Sequence, residues 1–519
     1  MPSARRERMT GVDTAWLRMD VPTNLMVIVG VLMFRGKVAI ADVKRAVESR
    51  FLAFHRFRQR TVQDATGAWW EDDPTFDIDS HVHPVALPGK AGKRELQAFV
   101  SDLASTPLDP TKPLWQFHLI DNYDRGSALV MRIHHCYADG IALVQVMLSL
   151  TGESPSASLA PGTGDVDETP RGEADFWELV LKPVGSALEG AARVGRSLLD
   201  QGRELAAHPA LAQGALEEVT RKGMDFAGEV GRLALMQSDS PTRFKGPLGV
   251  RKRVAWAEPF PLDEVKIMGK ALGCSINDVL LAMATGALRE YLLAKGDAAD
   301  GLEIRAIVPV NLRPSGRGRE LGNFFGLVFL ELPVGIDHPL ERLHEVRRRM
   351  HALRDSYQPM IVLGLLHALG NAPKILQEQV AALLARNASA VMTNVPGPQR
   401  PIYFAGRPIE ELDFWVPQSG GIGMGVSILS YNGKIQFGLM TDARLVPDPD
   451  RIVKRFEGEF EKLMWLTLMS EWQGESEPGE ATAAAAPRAR SAGGRAKPRG
   501  PRVSRPAAAT RIPKRFRNL

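Results

Sequence analysis

The run His134-His135-Cys136-Tyr137-Ala138-Asp139-Gly140 constrains this chain more than any other stretch. The residues 128–133 before it suit a strand, with Leu129, Met131, Ile133 and His135 on one face and Val130, Arg132 and His134 on the other. Gly140 permits a sharp turn, and Ile141, Val144 and Leu148 then keep helical spacing. Two histidines thus end a strand and an aspartate sits in the turn to a helix, where an α/β protein usually places its chemistry. A neutral imidazole there can act as general base toward a hydroxyl or an amine. From these residues alone, a structural histidine pair and an incidental metal site stay open beside the catalytic reading. Adjacent strand residues point to opposite faces, so one histidine rather than both is expected to meet a reacting group. The same divergence argues against a shared metal ion, as does the lack of another His/Cys/Glu cluster to complete a ligand set.

Four more short motifs accompany this one: Pro113-Leu114-Trp115, Ile276-Asn277-Asp278, Leu321-Gly322-Asn323 and Thr393-Asn394-Val395-Pro396-Gly397-Pro398. The His-His-x-x-x-Asp-Gly run resembles the signature of CoA-dependent acyltransferases with the chloramphenicol-acetyltransferase-like fold, and of peptide condensation domains. With all five motifs present in order, the chain is most similar to the bacterial wax ester synthase/acyl-CoA:diacylglycerol acyltransferases, over roughly residues 10–465.

The resemblance implies an α/β protein of two acetyltransferase-like domains, mixed sheets flanked by helices, with an active-site channel between them. His135 is then the general base, His134 supports it, and Gly140 makes the motif turn. Asp139 holds the loop by pairing with an arginine after the first helix, for which Arg58 is the candidate, with Arg56 and Arg60 left as a solvated basic cluster. Asn277 either donates to a developing oxyanion or caps its own helix. Asn394, Pro396 and Gly397 belong to a loop beside the substrate channel. Pro113, Leu114 and Trp115 are read as core packing, and Asp278 as the third residue of a capping box with Ser275. Cys136 beside a histidine has the makings of an acylated nucleophile, but the family leaves that position variable. No cofactor or metal is expected, because acyl-CoA is itself a substrate. Acceptors are diacylglycerol or a long-chain alcohol. Two alternatives stand beside this: a condensation-type enzyme with an amine or carrier-bound acceptor, and a non-catalytic lipid-surface protein, which should have lost the histidines.

Length and charge set the domain plan. At 519 residues the chain can build two or three cores, and 44% hydrophobic with 24% charged residues is globular. The expected divisions are 1–150 with the histidine motif, 151–240 as linker and helical crossover, 241–470 as a second acyltransferase domain, and 471–519 as a basic disordered tail. From Ala481 to Leu519 there are eleven Lys plus Arg and no acid, so the net +5 of the whole chain becomes −6 for residues 1–480. Such a tail suits an anionic membrane or lipid-droplet surface. Specific nucleic-acid binding is not expected, since Phe516 is the only aromatic residue after Glu480. Only Cys136 and Cys274 occur, no disulfide framework is implied, and a cytoplasmic location at the inner face of the membrane or on lipid inclusions is expected. The longest apolar runs fall short of the ~20 residues that span a bilayer.

Overall fold

The computed structural model describes residues 6–160, 232–233, 235–312, 321–354, 356–370, 386–418 and 421–469. Most of the linker and helical crossover expected over 151–240 lies outside the described residues, as does the basic tail. Two mixed sheets carry the fold. The first runs Tyr403–Phe404, Arg407–Trp415, Val27–Phe34, Ser127–His134, Trp115–Ile120 and Val82–Val85, with only the last pair of neighbours parallel. The second runs Phe325–Leu332, Ile304–Asn311, Ala390–Pro396, Met424–Tyr431, Lys434–Asp442 and Lys252–Trp256, parallel on both sides of Ala390–Pro396. A small sheet of Arg6–Arg8, Gly67–Asp72 and Gln59–Asp64 stands apart.

The two halves are not cleanly separate. Arg407–Trp415 comes from the second half yet lies against Val27–Phe34 in the first sheet, so a strand crosses from one to the other. Two cores result. One surrounds the first sheet and fills the space up to Ile307, Phe325 and Leu327 on the inner face of the second. The other lies on that sheet's outer face, under the helices Leu262–Ala271, Ile276–Ala294, Pro339–Arg354 and Asp450–Met469.

Local sequence explains most elements. Val27–Phe34 is continuously apolar, as suits a strand buried on both faces. Asn432 and Gly433 take φ of +48° and +72° and turn the hairpin between Met424–Tyr431 and Lys434–Asp442. Two stretches depart from expectation. The spacing of Val43, Val47 and Leu52 predicts a helix over 41–54, but the α-helix runs only from Ile40 to Ala46, then widens into a π turn at Val47–Phe51. The extra residue brings Phe51 onto Phe57, with ring centroids 3.9 Å apart. The linker expected from 151 begins instead with a short helix, Pro155–Leu159, capped by Ser154. Arg50 fastens it by donating to the carbonyls of Ser149, Thr151 and Ala160.

Candidate active site

The motif strand Ser127–His134 is held between Val27–Phe34 and Trp115–Ile120. His135 lies one residue beyond it, and its N–H donates to Met26 O at 2.7 Å. Asp139 is the N-cap of helix Gly140–Leu150, its Oδ1 accepting from the Ala142 N–H at 2.8 Å. This cap, not Gly140, makes the turn: Gly140 is the first helical residue and has no positive φ. A Cβ at Gly140 would meet nothing within 4 Å, and the residue lines a cavity.

The second half closes on this loop through the Leu-Gly-Asn motif. Gly322 N–H donates to Tyr137 O at 3.0 Å, and Asp139 N–H donates back to Gly322 O at 3.3 Å. The chain manages this approach with Gly322 at φ +110°, which only glycine adopts readily. Phe324 N–H donates to Asp139 Oδ2 at 2.9 Å. Asn323 Nδ2 donates to His135 O at 3.1 Å and to Asp13 Oδ1 at 2.9 Å.

The expected Arg58–Asp139 pair does not form. Phe57 and Gln59 are turned inward and fully buried, which leaves Arg58 between them on the outside. Its Nε donates to Leu52 O at 3.3 Å and its guanidinium lies 5.8 Å from the Phe76 ring. The inward arginine is Arg56, expected to be solvated; it pairs with Glu7 at 2.9 Å over the Trp70 ring.

The two histidines differ sharply. His135 is 6% exposed, stacks on Trp16 with centroids 4.2 Å and planes 20° apart, and meets Phe325 at 5.7 Å. Burial lowers its pKa to about 4; its own carbonyl, Asp139 and Asn323 oppose the shift, while His134 adds to it. The ring is therefore a neutral base at physiological pH. His134 faces the other way. Its Nδ1 accepts from the Cys136 N–H at 3.1 Å, and its Nε2 lies 3.7 Å from Asp20 Oδ1, so it braces the loop. Burial pushes the Cys136 thiol well up, which disfavours the thiolate a nucleophile needs. Among the described residues no group of three or more His, Cys, Asp or Glu could hold a metal ion.

An apolar cavity, open at its mouth, follows the His135 face of the motif strand. Met131 and Ile133 line it with their cross-strand partners Gly30 and Ile28; Gly140, Leu143 and Met147 form another wall, and Gly397 and Pro398 a third. It thus reaches the residues on both sides of the motif loop, while the imidazole itself lies under Trp16 and Phe325. Its one acidic residue, Asp413, sits opposite Val31, so strand alternation turns the carboxyl to the sheet's other face.

The remaining expected residues separate. Gly397 reaches the cavity; Asn394 and Pro396 are exposed at the end of their strand. Asn277 neither caps its helix nor bonds a motif histidine: Ser275 and Asp278 form the capping box, and Asn277 Oδ1 accepts from Asn394 Nδ2 at 3.1 Å. Trp115 is fully buried and its Nε1 donates to Phe57 O, while the Leu114 N–H donates to the Tyr137 hydroxyl, so this motif supports the loop from behind. Pro113 is buried beside them. Asp13, Trp16 and Asn323 touch or brace His135 without any sequence pattern assigning them to the site. The only signal was the place of Asn323 in the Leu-Gly-Asn motif.

Residues 9–280 match the family model described as the wax ester synthase/diacylglycerol acyltransferase catalytic domain, and residues 321–464 match its C-terminal domain. Two Mycobacterium tuberculosis proteins, a putative and a probable diacylglycerol O-acyltransferase, are each 28% identical to this chain. The alignments cover 86% of this chain and 88% of the first relative, and 88% and 96% for the second. The solved wax ester synthase/diacylglycerol acyltransferase of Marinobacter aquaeolei VT8 superposes with a TM-score of 0.62 at 21% identity, covering 88% of this chain and 98% of that one. The first condensation domain of the calcium-dependent antibiotic synthetase gives 0.55 at 15% identity, covering 90% and 97%. Both structures share the two-domain fold.

Proposed function

The chain belongs to the wax ester synthase/diacylglycerol acyltransferase family, and from that premise we propose that it moves a fatty acyl group from acyl-CoA to a hydroxyl of diacylglycerol, of a long-chain alcohol, or of both. The observation that carries this reading is a neutral, buried imidazole beside an apolar cavity on the same strand face. His135 Nε2 takes the hydroxyl proton as the oxygen attacks the thioester carbonyl. The oxyanion is met by a backbone N–H rather than by Asn277, which bonds Asn394 in the outer layer of the second half and makes no bond to a motif histidine. As the C–S bond breaks, the imidazolium returns the proton to the CoA sulfur. The acyl group passes directly between substrates, with no acyl-enzyme. Trp16, Phe325 and the apolar walls exclude water, which would otherwise hydrolyse the thioester.

The acceptors live in lipid, and no single described helix is long and apolar enough to cross a membrane. The reading therefore places the enzyme peripherally on the cytoplasmic face of the membrane or on lipid inclusions, with the eleven cations after Glu480 drawn to anionic lipid at about 1 kcal/mol each near the surface.

One experiment tests the whole reading. Purified protein receives acyl-CoA with hexadecanol, diacylglycerol or a primary amine, alongside His135→Ala and a chain ending at residue 480. We expect ester from the hydroxyl acceptors, a roughly 10²–10⁴-fold loss in His135→Ala, and weaker vesicle binding but intact turnover of a short alcohol in the shortened chain. Amide as the main product would make it a condensation-type enzyme. Equal turnover by His135→Ala would remove the base.

A further inference from the structure

The base works only if Nε2 is free of its proton, so something must hold that proton on Nδ1. Around His135, the described side chains leave four fully buried polar atoms without a hydrogen-bond partner: His135 Nδ1, Asn323 Oδ1, Trp16 Nε1 and, on the far side of the loop, His134 Nε2, which carries the proton because Nδ1 accepts from the Cys136 N–H. The amide oxygen is the acceptor among them. Its orientation is fixed, because both Asn323 Nδ2 hydrogens are already committed, one to Asp13 Oδ1 and one to the His135 carbonyl. Turning the amide over would set its oxygen against two acceptor oxygens.

Resting on the reading of His135 as base, we infer that Asp13 and Asn323 are positioning residues for it: Asp13 fixes the Asn323 amide, and Asn323 holds the imidazole with its proton on Nδ1 and Nε2 bare. Asp13 sits on the helix Gly11–Arg18, and the same helix, three residues on, supplies Trp16 to the face of the ring. Its carboxyl is 6% exposed and has no ion-pair partner among the described residues. Arg56 and Asp139 are the charged groups that face it, with opposite effects, and its hydrogen-bond partners are Asn323 and Thr10. Burying a carboxyl on so few partners is costly. Here its oxygen aims the amide that donates to the His135 carbonyl. Asn323 comes from the second half of the chain, so the tautomer is set only when the halves are together.

The role needs an acceptor oxygen at position 13, not a charge. Asp13→Asn should therefore keep it, while Asp13→Leu and Asn323→Ala should lose it. The readout is ¹⁵N-histidine NMR of the full chain at neutral pH, with kcat and KM on acyl-CoA and a short alcohol. Wild type and Asp13→Asn are expected to show His135, assigned by its absence in His135→Ala, as a single Nδ1–H tautomer. Asp13→Leu and Asn323→Ala are expected to show a mixture, with kcat lower by roughly 10- to 100-fold, as small misplacements of a catalytic group cost, and KM within about twofold. An Nε2–H tautomer in wild type overturns the inference, and so does Asn323→Ala with unchanged spectrum and kcat. Asp13→Asn falling as far as Asp13→Leu also overturns it. Where a variant does not fold, the wild-type and Asp13→Asn spectra still decide. The tautomer is read without turnover, so an inactive His135 role and a failed positioning role give different results.

Discussion

Asn277 and Asn323 both come from the second half of the chain, and both sit in short recognisable motifs. Only Asn323 reaches the reacting centre. Phe325, two residues on, lies on the inner face of the second sheet, whose side chains Ile307, Phe325 and Leu327 pack toward His135. Asn394 alternates with Met392 and Ala390, which pack on the outer face under the helices, so its bond to Asn277 belongs to the outer layer. The difference is which face of one sheet a residue occupies. A motif records that a position is constrained, and the sheet decides whether that constraint serves the chemistry or the scaffold.

The largest expected effect tests the grip of residues 322–324 on the motif loop. Asp139→Ala removes a helix N-cap and strands the Phe324 N–H, so it should cost about 2–4 kcal/mol in urea unfolding, with turnover falling alongside. Arg58→Ala should cost under about 0.5 kcal/mol, as an exposed side chain does. Because the two do not touch, the double mutant should be additive to within about 0.5 kcal/mol. A strong coupling energy would restore the arginine–aspartate pair and break the assignment of Asp139 to the second half.

A smaller effect sharpens the contrast between the asparagines. Asn277→Ala should leave kcat within about threefold, since it forfeits one exposed hydrogen bond, and should leave the His135 tautomer unchanged. A fall in kcat as large as that of Asn323→Ala would place Asn277 at the oxyanion after all.

Much of this was legible in the chain itself. The period-two pattern of 128–133 marks the strand, which runs Ser127–His134, and separates the two histidines onto opposite sides, and Ser275-x-x-Asp278 and Asn432-Gly433 mark a helix start and a hairpin. These signals are local, carried by alternation, capping and turn chemistry. Long-range placement was not legible. Arg58 and Arg56 are equally basic and two residues apart, and only the long-range partners Glu7 and Trp70, which receive Arg56, decide which is turned inward. Gly140 looked like a turn glycine, but Asp139 makes the turn and the missing side chain keeps a cavity wall bare. Asp13, some 310 residues from its partner Asn323, had no pattern at all.

The central claim is that a buried, neutral His135 is the base. The most direct check is the pH dependence of kcat/KM with acyl-CoA and a short alcohol, each sample returned to neutral pH to confirm that activity recovers. The profile reports the free enzyme's base. Since burial holds His135 at about 4, the acid limb should fall well below the ordinary histidine value of 6.5. Activity should persist at pH 5.5, and Asp13→Asn should leave the limb in place. A limb at 6.5 or above would contradict the account, because it would mean that the proton is taken by a solvated group and not by the enclosed imidazole.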